Sequence, residues 1–283
     1  MPTFRFEGSN LAYAVHGSGE RVLVLTHGLL MNMGMYTHLA PEMARRGNRV
    51  VTLDLLGHGD SDQPRDPTVY SMTRFGRQVI ALLDHLEVSE AVIGGTSLGA
   101  NITLEAALLA PRRVRAMVVE MPVLENALIA AGALFIPLAL SIRLNHSGMS
   151  LLAAVTRRVP RTHYLVDVLL DWIRRDPKVS LAVLEGLLFG RIAPPPEERR
   201  TLPQPALVIG HKDDPLHPFN DAEVLTSELP RSRFASASSI LEWRLVPRRL
   251  DGILGDFLDD TWRSPTPGTA RRAGSPASSS YAS

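Results

Sequence analysis

The 283-residue chain contains no cysteine, so it offers no thiolate nucleophile, no zinc-thiolate site, no redox pair and no disulfide. Lysine is nearly missing as well: the basic residues are 28 Arg and 2 Lys, a bias we read as coding preference rather than chemistry. Neither sign of charge dominates. Thirty basic against twenty-nine acidic residues leave a net charge of +1, which excludes a broad basic field for nucleic acid and the acidic excess of a disordered chain. No apolar run reaches the roughly 20 residues a membrane span needs; the longest uncharged stretch, Asn126 to Ile142, is interrupted by Pro137 and reads as a buried or pocket-lining helix pair, with interfacial membrane contact as the alternative. Stable membrane insertion is therefore not expected. No apolar signal segment opens the chain, and a cytoplasmic location is the corresponding expectation. Any nucleophile has to be a hydroxyl, carboxylate, amine or imidazole, which makes the nine histidines the residues to follow.

What is present is an alternation of two periodicities. Phe4–Phe6 and Leu11–His16 alternate as half-buried strands, whereas Arg21–Thr26, Arg49–Leu53, Ala91–Gly94, Val114–Val119 and Ala206–Ile209 are continuous apolar runs, the mark of strands covered on both faces. Helix-period segments (36–46, 71–86, 98–109) lie between them, predicting βαβ units and a mostly parallel sheet with helices on both faces. Between Val123 and Arg200 the strand runs stop and helical patterns take over at 150–159, 164–174 and 180–189. The expected organisation is a core of residues 1–122 and 201–262, a helical insertion over 123–200, and a disordered Ser/Pro/Ala/Gly-rich tail over 263–283.

Gly95-Thr96-Ser97-Leu98-Gly99 carries the chemistry. It matches G-x-S-x-G, with an apolar strand entering and a helix pattern leaving. Glycines are needed on both sides of a strand-to-helix turn this sharp, and a serine at a helix N-terminus sits where free N–H groups favour developing negative charge. Gly17-Ser18-Gly19, by contrast, is no dinucleotide fingerprint: a third glycine is missing and a strand follows where a helix is required.

With this segment the chain resembles the α/β-hydrolase superfamily over about Phe4 to Trp262. Thr26-His27-Gly28-Leu29 is similar to the family's oxyanion loop, and Asp54 to Asp62 to its D-x-x-G-x-G-x-S loop. The resemblance implies an α/β-hydrolase fold with a helical cap, Ser97 as nucleophile, and the backbone N–H groups of Leu29 and Leu98 as the oxyanion hole. It implies no cofactor and no metal. His27 and His58 match loop positions that shape turns; a metal set of His58, Asp60 and Asp62 lacks a second His or a helical i, i+4 pair. Asp214, of the Asp-Pro pair after the Ala206–Ile209 run, matches the position of the triad acid, with Asp213 an off-by-one rival and a helix N-cap the bland alternative.

The family's histidine belongs in the loop after the last strand, here Ser238 to Arg244, and that loop has none; no histidine follows His217. Three expectations stay open: His217 reaches the serine from the other side of the pocket, Glu242 acts as a weak base, or there is no base. The chain is accordingly expected to hydrolyse a small apolar ester, thioester or related acyl compound, or to be a slow or non-catalytic ligand-binding member of the same fold. Leu128, Ile129, Leu134, Phe135, Ile136 and Leu138 are the candidate lining of an apolar pocket, while Arg157, Arg158, Arg161, Arg174 and Arg175 are expected to face solvent. The expected partner is a small apolar molecule and not nucleic acid; the oligomeric state is left open.

Overall fold

The computed structural model describes residues 1–160, 164–188 and 190–264. Eight strands form one sheet: β1 (Thr3–Phe6), β2 (Ser9–His16), β3 (Val22–Thr26), β4 (Arg49–Leu53), β5 (Ala91–Thr96), β6 (Val114–Glu120), β7 (Ala206–His211) and β8 (Ser232–Ala237), in the order β1-β2-β4-β3-β5-β6-β7-β8. The two pairings of β2 are antiparallel and every pairing from β4 to β8 is parallel. This is the α/β-hydrolase fold.

The apolar runs work because successive side chains point to opposite faces and both faces are covered. On β3, Val22 and Val24 enter one core while Leu23 and Leu25 enter the other; on β7, Ala206 and Val208 oppose Leu207 and Ile209. One face is covered by α1 (Leu39–Arg45), through Leu39, Ala40 and Met43, and by the last helix, Arg248–Arg263, through Leu250, Leu254, Phe257 and Leu258. The other is covered by α2 (Met72–His85), α3 (Leu98–Leu109) and Phe219–Glu228. α3 is buried over nearly its whole length, from Leu98 to Ala107, because it lies behind the central strands. The helix expected at 36–46 is shorter, Leu39–Arg45, and is preceded by a 3₁₀ turn at Met33–Tyr36 capped by the Asn32 side chain.

Between β6 and β7 stand α4 (Ala127–Leu144), α5 (His146–Thr156), α6 (Tyr164–Arg174), α7 (Pro177–Leu188) and the short α8 (Pro196–Arg199). Phe219–Glu228 is then α9, Glu242–Leu245 is α10 and Arg248–Arg263 is α11. Where a buried or pocket-lining helix pair was expected, α4 is a single helix that runs unbroken through Pro137; it lines the cavity through Leu128, Phe135 and Ile136 but is mostly exposed rather than buried. Proline removes one i→i−4 hydrogen bond, and here both Pro137 and Ala133, whose carbonyl loses its donor, lie on the exposed side of the helix. By length and composition α4 is the one helix among the described residues able to cross a membrane. Arg161, His163, Phe189 and the tail from residue 265 lie outside the described residues, and with them the expectations placed there.

Candidate active site

Ser97 sits at the β5–α3 junction with φ 56° and ψ −112°, a left-handed conformation that a non-glycine residue adopts only when its surroundings impose it. They do so here. A Cβ on Gly95 would lie 2.4 Å from the Gly99 carbonyl carbon, and one on Gly99 only 2.0 Å from the Thr26 carbonyl oxygen, so both flanks must be glycine for α3 to pack against β3. The Ser97 N–H is tied to the Glu120 carbonyl at 2.9 Å, fixing the turn to β6.

The Ser97 hydroxyl projects towards the turn after β7. Its Oγ lies 2.8 Å from Nε2 of His217, and the other ring nitrogen, Nδ1, lies 2.9 Å from Oδ2 of Asp214. A carboxylate only accepts, so Nδ1 carries the proton and Nε2 is left to accept from the serine. Asp214 does two jobs at once: Oδ1 accepts from the backbone N–H groups of Leu216 (2.9 Å) and His217 (3.0 Å), closing the turn, while Oδ2 holds the imidazole. Burial pushes this carboxyl up, but the hydrogen bonds and charge of His217 and the two backbone donors prevail and hold it below the usual carboxylate range. Asp213 is exposed, at φ 56°; the imidazole contact belongs to Asp214.

Of the three open expectations about the base, the structure brings His217 to the serine. Glu242 is engaged elsewhere: its carboxylate accepts from Ser238 N–H (2.5 Å) and Ser238 Oγ–H (2.8 Å) and pairs with Arg249 at 2.7 Å, which together lower its pKa to about 2. The loop after β8 supports the site from below instead. Arg244 reaches Oε2 of the buried Glu120 at 2.9 Å, and Nε2 of His211 stands 3.1 Å from Oε1, an ionic contact rather than an aligned hydrogen bond. Burial raises the Glu120 pKa, yet the Arg244 and His211 charges and the Thr96 hydroxyl bring it down to about 2. Burial likewise lowers His211, but Glu120 outweighs it and the imidazole is shifted above its ordinary 6.5.

Ser97 and His217 open into a cavity of about 290 Å³. Apart from these two and Asn101 its walls are apolar: Leu29, Met72, Leu98 and Leu216 from the core, and Leu128, Phe135, Ile136, Leu184 and Leu187 from the insertion. Of the expected lining, Ile129 and Leu134 turn outward, 84% and 48% exposed, and Leu138 packs on the core. Leu29 and Leu98 line the cavity beside the serine, and Leu98, the first residue of α3, has no i−4 carbonyl for its N–H.

A match to the α/β-hydrolase fold family model covers residues 21–149. The chain is 24% identical to an uncharacterized hydrolase of Bacillus subtilis over 265 residues, 91% of this chain and 96% of that one. A dihydrolipoyllysine-residue acetyltransferase component of the acetoin cleaving system from Pseudomonas putida is 34% identical over 105 residues, 37% of this chain but only 28% of that protein. Among solved structures, the enol-lactonase of Burkholderia xenovorans superposes with a TM-score of 0.74 at 21% identity, covering 91% of this chain and 100% of the other. The bromoperoxidase of Bacillus anthracis gives 0.73 at 20% identity, over 89% and 96%. The chain has the α/β-hydrolase fold, and its residues 21–149 match that family's model.

In this hydrolase fold His27 and His58 are framework. Each accepts a backbone N–H at Nε2, from Leu55 (3.1 Å) and Leu30 (3.2 Å), and donates from Nδ1 to a carbonyl, of Gly28 and Leu56 (both 2.9 Å). Full burial lowers His27 to about 3 and His58 well below its ordinary value, outweighing the carbonyl hydrogen bonds that favour the charged ring. Asp62, of the hypothetical metal set, accepts from Asn10 N–H at 2.7 Å. Two of the arginines expected in solvent are drawn inward. Arg174 pairs with Asp171 (3.1 Å) and Asp167 (3.5 Å), carboxylates three and seven residues back on the same helix face; burial pushes Arg175 down to about 10, against the opposing pull of Tyr70 and Asp54. Arg157 and Arg158 are exposed.

Two residues that tie the insertion to the hydrolase core escaped the sequence reading. Asn101 on α3 donates to the carbonyls of Val123 (2.8 Å) and Ile192 (2.9 Å), clamping both ends of the insertion over the serine. Asp221 on α9 accepts from the N–H groups of Leu124, Asn126 and Ala127, capping α4 from outside. An Asn inside an apolar helix, and an Asp one turn into another, were the available signals.

Proposed function

We propose that the protein is a serine hydrolase of small apolar esters, thioesters or related acyl compounds. The observation that carries this reading is the unbroken chain Ser97 Oγ, His217 Nε2, His217 Nδ1, Asp214 Oδ2, with contacts of 2.8 and 2.9 Å. His217 takes the proton as Ser97 Oγ attacks the acyl carbon, and Asp214 stabilises the imidazolium that forms. The N–H groups of Leu29 and Leu98 receive the negative charge developing on the carbonyl oxygen; one such donor contributes about 3 kcal/mol in a dry site. His217 then returns the proton to the leaving alcohol or thiol, and a water activated by the same imidazole releases the acid from Ser97. The apolar walls favour an uncharged acyl group, since no ion is present in them to pair a buried charge.

The test is covalent. A fluorophosphonate probe should label the wild-type chain at Ser97 and leave Ser97→Ala unlabelled, with turnover of short p-nitrophenyl esters lost in parallel. A wild-type chain that neither reacts with the probe nor hydrolyses such esters contradicts the proposal.

A further inference from the structure

An 18-residue helix with no charge before Arg143 belongs inside a protein or against something apolar, yet only Ala127, Ala139 and Ile142 of α4 are buried. Its exposed side is a continuous stripe at helical spacing, Ile129, Ala133, Ile136, Leu140 and Leu144. α5 adds Leu151, Leu152 and Val155, which are 66%, 45% and 51% exposed. From Asn126 to Pro160 there is no Asp or Glu, while Arg143, Arg157 and Arg158 are all exposed. Leu128, Ile136 and Leu188 line the cavity above Ser97 and are also 43%, 55% and 44% exposed, so the rim of that cavity is continuous with the apolar stripe.

We infer that the exposed face of α4 and α5 is a docking surface for an anionic lipid interface, on which the protein rests without crossing it. A surface of exposed aliphatic side chains bordered by Arg157 and Arg158, with Arg143 paired to Glu185 of α7 at 3.3 Å, complements the apolar interior and negative headgroups of such an interface. A second copy of the chain fits less well: a two-fold contact brings the exposed Arg157 and Arg158 of each copy against the same surface of the other. α4 also shares its other side with α7 and the cavity wall, so the folded insertion holds it in the plane of the interface rather than along the bilayer normal. Lipid binding stands apart from the hydrolytic reading; only its consequence, that an acyl substrate dissolved in lipid enters the cavity directly, rests on it.

Sedimentation of the full chain with extruded phosphatidylcholine vesicles, with and without phosphatidylglycerol, tests the inference. The wild type and Ser97→Ala should partition alike onto phosphatidylglycerol vesicles and more weakly onto phosphatidylcholine alone, which separates this result from any failure of hydrolysis. Ile129→Glu combined with Leu140→Glu should lower partitioning at least about tenfold. Arg157→Glu combined with Arg158→Glu should remove the preference for the anionic lipid. All four positions are exposed, and unchanged circular-dichroism melting curves verify that the variants fold. Absence of wild-type binding to the anionic vesicles overturns the inference, as does binding indifferent to Ile129→Glu with Leu140→Glu. A micromolar dimer in sedimentation velocity that the same double variant dissociates overturns it in favour of self-association.

Discussion

The turn after β7 and the loop after β8 both lie at carboxyl ends of parallel strands, where open α/β sheets place their ligands, yet they are used in opposite ways. The first, Asp214 to Pro218, is a five-residue turn with two prolines, Pro215 and Pro218, and it delivers both a carboxylate and an imidazole to Ser97. The second carries no histidine and is committed to ion pairs: Glu242 with Arg249, and Arg244 with Glu120. The superfamily pattern divides acid and base between two such loops. Here an i, i+3 spacing lets one aspartate cap its own turn and orient the histidine at its end. The comparison teaches that a triad is a geometry, which one short rigid turn can supply.

The largest effect that sharpens this contrast falls on the β7 turn. Asp214→Asn keeps the capping oxygen but presents an amide in place of the second one, and the ring loses its fixed tautomer; kcat/KM for a short p-nitrophenyl ester should fall about 10³- to 10⁴-fold. A loss under tenfold would remove Asp214 from the machinery.

The β8 loop and the ions it gathers should instead govern stability. Glu120 is 2% exposed, and Glu120→Gln leaves Arg244 and His211 without their counter-charge; unfolding in guanidinium should show a loss of about 3 kcal/mol, with kcat/KM changed less than tenfold in the protein that remains folded. The reverse outcome, lost activity at unchanged stability, would make the β8 loop part of the chemistry.

A smaller effect comes from pH. The His211 imidazole is raised above 6.5 in the folded state, so its contribution is complete below that value and is lost as pH rises through the folded pKa. Glu120 is lowered from 4.5 to about 2, so its contribution is complete above 4.5 and is lost as pH falls towards 2. Melting temperature should therefore decline on the alkaline side of 6.5, and His211→Asn should flatten that decline; an identical slope in the variant would show that the pair is not coupled to folding.

The same contrast marks what was legible in the sequence. Runs such as Val22–Thr26 and Ala91–Gly94 reveal a doubly covered strand because burial on two faces leaves no polar position, and Gly95 and Gly99 reveal the elbow because nothing larger fits between α3 and β3. The β7 turn was harder. Asp214 and His217 were both visible as candidates, but whether three residues of turn carry an imidazole across to the end of β5 depends on how Pro215 and Pro218 set the backbone, which no periodicity encodes. The apolar composition of α4 fits its lining of the cavity through Leu128, Phe135 and Ile136, but not the exposure of its other side at the edge of the insertion.

The central claim is that His217, from the β7 turn, is the base, and that Glu242, from the β8 loop, is not. Pre-steady-state acylation by a p-nitrophenyl ester, followed as the first-turnover release of p-nitrophenol, tests it most directly in His217→Ala and Glu242→Gln side by side. The rate should fall about 10⁴-fold or more in His217→Ala and stay within about twofold of wild type in Glu242→Gln, whose surface ion pair with Arg249 matters little. A wild-type acylation rate in His217→Ala, or its collapse in Glu242→Gln, would contradict it.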